Sequence, residues 1–130
     1  MNDILVPVSP GELIDKITIL RLKADNIGDP AKRANVAREL EALEAIPLPD
    51  HPDLLALTDE LHGINARLWQ IEDDIRDCDA RGEFGEEFVA LAQAVYRTND
   101  RRAVVKREIN LALGSTLIEE KSYVEHGGGS

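Results

Sequence analysis

The chain has 130 residues, the length of one domain, and its composition of 43% hydrophobic and 31% charged residues is ordinary for a folded globular protein and argues against intrinsic disorder. Only 4% of the residues are aromatic, so the core must be aliphatic, as suits helices packed on helices. The formal net charge of −10 argues against nucleic acid and anionic membranes as partners, because both attract positive surfaces.

The first apolar stretch, residues 4–8, is short, contains Pro7 and lacks a positively charged flank, so it does not predict a secretory signal. No run approaches the roughly 18 apolar residues that a membrane-spanning helix needs. A cytoplasmic protein is therefore expected. Cys78 is the single cysteine, which excludes an intrachain disulfide, and we interpret it as a small buried apolar group.

Two short helices are predicted at the start of the chain. Ser9 is suited to cap the first helix, Pro10 to occupy its first position, and Glu12 to bond back to the cap. One apolar stripe follows at spacings of three and four: Leu13, Ile17, Leu20, Ala24 and Ile27. A second helix is predicted from Asp29 to the residue before Pro47. Its inward residues are expected to be Val36, Leu40, Leu43 and Ile46.

The third helix has the clearest pattern in the sequence, an unbroken repeat of apolar residues at alternating spacings of three and four. These residues are Leu54, Leu57, Leu61, Ile64, Leu68, Ile71, Ile75 and Cys78. Gly82 marks a break, after which a similar repeat resumes. It consists of Phe84, Phe88, Leu91, Val95, Val105, Ile109 and Leu113. The fourth helix is therefore expected to return along the third as an antiparallel partner.

The predicted fold is all-α: a helical bundle built on a long antiparallel, coiled-coil-like helical hairpin, with two shorter N-terminal helices. Residues 1–126 form a single helical domain, and residues 127–130 read as a flexible Gly/Ser tail. Such a hairpin exposes more apolar surface than two short helices cover, which favours a homodimer. Asn65, Trp69, Tyr96 and Asn99 would then lie near the dimer interface.

Polar residues interrupt the hairpin on one side, and they are the candidate ligand-binding site. They are Asn65, Trp69, Glu72, Asp73, Arg76, Tyr96, Asn99, Asp100, Arg101, Arg102 and Lys106. One interpretation is structural: Asn65 and Asn99 pair as a polar layer that fixes helix register. The other is a pocket in which basic residues bind an anion and Glu72 or Asp73 acts as acid or base.

Metal and cofactor sites are not predicted. The three histidines, His51, His62 and His126, lack the i, i+4 spacing of a helical zinc site. Glu72, Asp73 and Asp74 point to different sides of a helix, so a solvated face is the better interpretation than a cation site. No glycine-rich phosphate loop, nucleophile elbow or Cys-x-x-Cys is present.

Three stretches carry a family resemblance: residues 8–20 (VSPGELIDKITIL), residues 68–76 (LWQIEDDIR) and residues 95–110 (VYRTNDRRAVVKREIN). Together with residues 119–123 they resemble a bacterial domain-of-unknown-function family of small helical proteins. The resemblance implies no established activity, so no catalytic residue is assigned. It does suggest a supporting role in surface-polysaccharide synthesis, since the family is similar to other helical proteins encoded near glycosyltransferases.

Two functions follow from the sequence. The first is a noncatalytic helical interaction or assembly protein, a homodimer with an unidentified protein partner. The alternative is a small-molecule-binding or enzymatic helical bundle with a polar site around Trp69, Glu72, Tyr96, Asn99 and Arg102. A cavity lined by these five residues would favour the alternative, and a filled helix interface would favour the first.

Overall fold

The computed structural model describes residues 3–117 and residue 120, and within this part the chain is helical without strands. The helices are α1 (Pro10–Asn26), α2 (Pro30–Glu44), α3 (Leu54–Ala80) and α4 (Glu86–Ala112). α3 and α4 pack most extensively on each other. The prediction of an all-α bundle with a long helical hairpin and two shorter N-terminal helices is confirmed. The predicted Gly/Ser tail lies outside the described residues.

The helix ends follow the local signals in the sequence. The Ser9 hydroxyl accepts a hydrogen bond from the Glu12 backbone N–H at 3.1 Å, and Asp29 caps α2 through the Lys32 N–H at 3.0 Å. Gly82 follows α3 with a φ of +68°, a left-handed conformation that glycine adopts at no steric cost. Short-range chemistry therefore determines where α1 and α2 begin and where the hairpin turns.

The core lies in the half of the hairpin away from its turn. It is a cluster of six buried aliphatic residues: Ile14, Leu61, Ile64, Leu68, Val105 and Ile109. Toward the turn, α4 contains no fully buried residue, and Phe84 is 57% exposed just before the helix begins. Ile75 is half-buried, although the repeat predicted a buried residue. The contacts of α1 lie at Asn65, Arg102 and Lys106, in the other half of the hairpin. At Ile75 the seam between α3 and α4 is therefore only partly closed.

α1 is the central helix, because it contacts α2, α3 and α4. The helix contacts of α2 are with α1. Leu13, Ile17 and Leu20 are buried on the side of α1 away from the hairpin, where α2 covers them. Val36 is the buried residue of α2. The inward position predicted for Ile46 is wrong: α2 ends at Glu44, and Ile46 is 46% exposed in the following linker.

Cys78 is buried at 0% exposure, as expected for a small apolar group. Burial, together with the nearby carboxylate of Glu87, raises the pKa of the Cys78 thiol above its ordinary value, although Arg81 acts in the opposite direction. The thiol is therefore less ionised than a free cysteine at neutral pH. None of the helices in the described part of the chain is long and apolar enough to cross a membrane.

Candidate functional site

A layer of polar side chains lies between α1 and the hairpin, and Asp15 is at its centre. The Asp15 side chain is 2% exposed. Its two carboxylate oxygens accept hydrogen bonds from Arg102 of α4, at 2.8 Å from Nε and 2.5 Å from Nη2. This two-point contact is the strongest geometry available between a guanidinium and a carboxylate. It joins α1 to α4.

Asn65 of α3 completes the coordination of Asp15. Its Nδ2 donates to Asp15 Oδ1 at 2.9 Å and to Thr18 Oγ1 at 2.9 Å. The Thr18 hydroxyl in turn donates to the Asp15 carbonyl at 2.8 Å, and Asn99 Oδ1 accepts from Arg102 Nη1 at 3.4 Å. All three helices therefore meet at Asp15. Asn65 bonds to α1 rather than to Asn99, because α1 fills the space over the hairpin.

A second ion pair lies one turn closer to the start of α1. Lys106 Nζ donates to Glu12 Oε2 at 2.8 Å, and the Lys106 side chain is 11% exposed. The Glu12 carboxylate therefore contacts α4, whereas the sequence suggested a bond back to the Ser9 cap. Lys16 also lies near Glu12, at 3.9 Å. This pair fixes the N-terminal end of α1 on the hairpin.

Gly11 brings the α1 backbone into direct contact with α4. Its N–H donates to Asn110 Oδ1 at 2.7 Å, and Asn110 is 1% exposed. A Cβ on Gly11 would lie closer than 3.0 Å to both the Lys106 carbonyl oxygen and Asn110 Oδ1. Glycine is required at this position for steric reasons.

The residues that bond α1 to the hairpin form one set, which we refer to as the α1 polar layer. They are Gly11, Glu12, Asp15, Thr18, Asn65, Asn99, Arg102, Lys106 and Asn110.

Replacing Gly11 with Ala is expected to lower the free energy of unfolding by about 1–3 kcal/mol, the usual cost of an overpacked contact. Gly63 of α3 is the matched control, because a Cβ there would meet nothing within 4 Å. Gly63→Ala should raise stability by about 0.5–1 kcal/mol through helix propensity alone. Urea unfolding followed by circular dichroism measures both changes. Equal effects of the two substitutions would contradict the close contact at Gly11.

The candidate residues from the sequence divide into two groups. Asn65, Asn99, Arg102 and Lys106 belong to the α1 polar layer, whereas the other seven lie outside it. On the exposed side of α3, Arg76 forms ion pairs with Glu72 at 3.8 Å and with Asp73 at 3.7 Å.

The remaining four candidates are likewise dispersed. Tyr96 is 55% exposed and lies 5.8 Å from the Arg97 guanidinium. Arg101 binds Glu60 at 2.5 Å, while Trp69 and Asp100 are half-buried. Two surface grooves that the described residues line, one beside Leu55 and one beside Arg67, include none of Trp69, Glu72, Tyr96, Asn99 and Arg102.

The chemistry of the α1 polar layer is that of a closed helix contact. Among the described residues, each buried side-chain nitrogen or oxygen has a hydrogen-bond partner. The carboxylates of Asp15 and Glu12 form ion pairs with Arg102 and Lys106. Within the same part of the chain, no group of three His, Cys, Asp or Glu residues is placed to hold a metal ion. The layer therefore holds α1 against the hairpin within one chain.

Sequence reasoning missed the α1 half of this layer, and a signal for it was present. Gly11, Asp15, Thr18 and Leu22 follow the same 4-3-4 spacing as the apolar stripe, on the other side of the helix, and all four are buried. A stripe of small and polar residues does not have the hydrophobic character by which a buried face is usually recognised.

The fold and the polar layer define a small all-α protein in which a central helix is clasped to a hairpin by internal ion pairs. The chain belongs to a family of unknown function, DUF6165, whose profile matches residues 4–127. The match covers nearly the whole chain and includes every residue of the α1 polar layer. Comparison with the curated proteins and with the solved structures gave no significant match.

Proposed function

We propose that this protein is a noncatalytic helical assembly protein that forms a homodimer through the apolar residues preceding α1. These residues, 4–8, are defined as the N-terminal arm. The observation that carries the proposal is the exposure of four aliphatic side chains in the arm: Ile4 at 84%, Leu5 at 91%, Val6 at 67% and Val8 at 42%. Contiguous exposed apolar residues are typical of interaction sites.

The energetic argument favours burial of the arm against another surface. Each fully buried aliphatic side chain contributes about 1.5–3 kcal/mol relative to leaving it in water. The arm carries no charge between Ile4 and Val8, so it can approach a second copy despite the net charge of −10 on each chain. The family match starts at Ile4 and therefore includes the arm.

A groove on the same chain suits the arm as a receptor. It has a volume of about 620 Å³ and is lined by Arg21, Asp50, His51, Pro52, Leu54, Leu55 and Thr58. Leu55 is 74% exposed at this place. An extended segment of five residues spans roughly 16 Å, enough to lie along such a groove. We infer reciprocal exchange, in which each arm occupies the groove of the second copy.

This interface differs from the one suggested by the sequence, which used the polar side of the hairpin. Asn65 and Asn99 belong to the α1 polar layer, so they support the packing of α1 within one chain. The engagement of Arg102 by Asp15 likewise supports a noncatalytic protein over the alternative, a binding or enzymatic site around Trp69, Glu72, Tyr96, Asn99 and Arg102. A cytoplasmic location, an additional protein partner and a supporting role in surface-polysaccharide synthesis stay predictions.

Sedimentation velocity at micromolar concentration tests the proposal. Wild-type protein is expected to sediment as a dimer, and the double variant Leu5→Asp/Val6→Asp as a monomer, because burial of unpaired carboxylates is unfavourable. The control Val104→Asp/Leu111→Asp changes one valine and one leucine that are 43% and 58% exposed on α4. It should remain dimeric. A monomeric wild type, or a dimeric arm variant, would contradict the proposal.

A further inference from the structure

A further groove lies between α3 and α4, on the side of the hairpin away from the α1 polar layer. It has a volume of about 430 Å³, within the range of small-molecule sites. Its lining includes Glu60, Gly63, Arg67, Arg97, Thr98 and Arg101. We refer to it as the arginine groove. Three of the chain's fifteen basic residues line this one groove in an otherwise acidic protein.

The hairpin register brings like charges together in the groove. Arg67 and Arg97 are each fifteen residues from Gly82 at the turn, so they lie level with each other on facing helices. Gly63 and Arg101 are each nineteen residues from Gly82, which places Arg101 level with a residue that has no side chain. The Arg67 and Arg97 side chains are both exposed, so an anion can reach them from solvent.

Two of these three arginines have no carboxylate partner among the described residues. In the arginine groove, Arg101 binds Glu60 at 2.5 Å, whereas Arg97 lies against the Tyr96 ring at 5.8 Å. Five arginines elsewhere pair with acidic side chains: Arg21, Arg76, Arg81, Arg102 and Arg107. Arg33 and Arg38 on α2 resemble Arg67 and Arg97 in having no such pair, but they do not line this groove. The groove is therefore distinguished by its two unpaired guanidinium groups lining one recess.

We propose that the arginine groove binds a small phosphate-bearing molecule, with the phosphate between Arg67 and Arg97. Planar guanidinium groups donate two parallel hydrogen bonds to phosphate oxygens, and the Thr98 hydroxyl supplies a further donor. A Cβ on Gly63 would meet nothing within 4 Å, so the groove is open down to the α3 backbone there. Glu60 holds Arg101 at the edge of the site.

The size of the anion follows from the charge of the rest of the chain. A polyanion such as nucleic acid, or an anionic membrane, would extend past the groove onto a surface of net charge −10 and be repelled. A compact phosphate or diphosphate ester avoids this repulsion. The inference is independent of the proposed arm exchange, since the groove and the N-terminal arm share no residue.

Isothermal titration with inorganic pyrophosphate at low ionic strength tests the inference. Wild-type protein is expected to bind, and Arg67→Gln/Arg97→Gln to bind about tenfold more weakly or not at all. The control Lys32→Gln/Arg33→Gln removes the same charge from exposed positions on α2 and should bind within about twofold of wild type.

A second variant tests whether pyrophosphate binding needs the open space of the groove as well as its positive charge. Gly63→Leu keeps every arginine but fills the space beside them, so it should also weaken pyrophosphate binding about tenfold, with unchanged helix content by circular dichroism. Absence of binding to the wild-type protein would overturn the inference. So would equal loss in the groove and α2 variants, or full binding by Gly63→Leu.

Discussion

Replacing Asp15 with Ala is expected to lower the free energy of unfolding by about 3–5 kcal/mol, the cost of removing one partner of a buried ion pair. The Asp15 carboxylate is 2% exposed and accepts hydrogen bonds from Arg102 and Asn65. Its removal leaves the amide of Asn65 and the guanidinium of Arg102 without their central acceptor. Urea unfolding monitored by circular dichroism measures the change.

A double-mutant cycle identifies the source of that loss. If the ion pair is responsible, Asp15→Ala in the background of Arg102→Met should cost markedly less than in wild type, with a coupling energy of about 1–3 kcal/mol. Additive effects would mean that Asp15 and Arg102 stabilise α1 independently. A loss below about 1 kcal/mol for Asp15→Ala would contradict the structural role of the α1 polar layer and reopen the alternative of a ligand site.

Replacing Leu68 with Ala is expected to cost about 2–5 kcal/mol, because Leu68 is 7% exposed within the core cluster. Leu111 on α4 provides a control of the same residue type, since its side chain is 58% exposed and lies outside the proposed dimer interface. Leu111→Ala should change stability by less than about 0.5 kcal/mol. Similar losses of stability for both variants would mean that Leu68 does not face the seam between α3 and α4.

The hairpin was predictable because the sequence signals that specify it, an apolar repeat and a glycine at the turn, are local. Leu61, Ile64 and Leu68 follow a repeat that only a helix with one buried side satisfies, and Gly82 marks the turn. The capping of α1 by Ser9 was predictable for the same reason. The half-buried state of Ile75 was not, because it depends on where a third helix lies over the pair.

The candidate site was predicted in part. Asn65, Asn99, Arg102 and Lys106 were recognised as polar interruptions on the hairpin, but their partners on α1 were not. Asp15 is 87 residues from Arg102 in sequence, and nothing in a single sequence specifies which acidic residue meets which basic one. The arginine groove was missed for a similar reason, since only the packing of α3 on α4 brings Arg67, Arg97 and Arg101 to one groove.

The central position of α1 has a consequence for the order in which the chain is assembled during synthesis. At about 5–20 residues per second, Asp15 is synthesised roughly 4–17 s before Arg102. α2 is made during this interval and can cover Leu13, Ile17 and Leu20. The side of α1 that must wait for the hairpin contains Gly11, Asp15 and Thr18, which water solvates well, beside the apolar Ile14 and Leu22. The more apolar side of α1 is therefore the one that can be covered before α4 is translated.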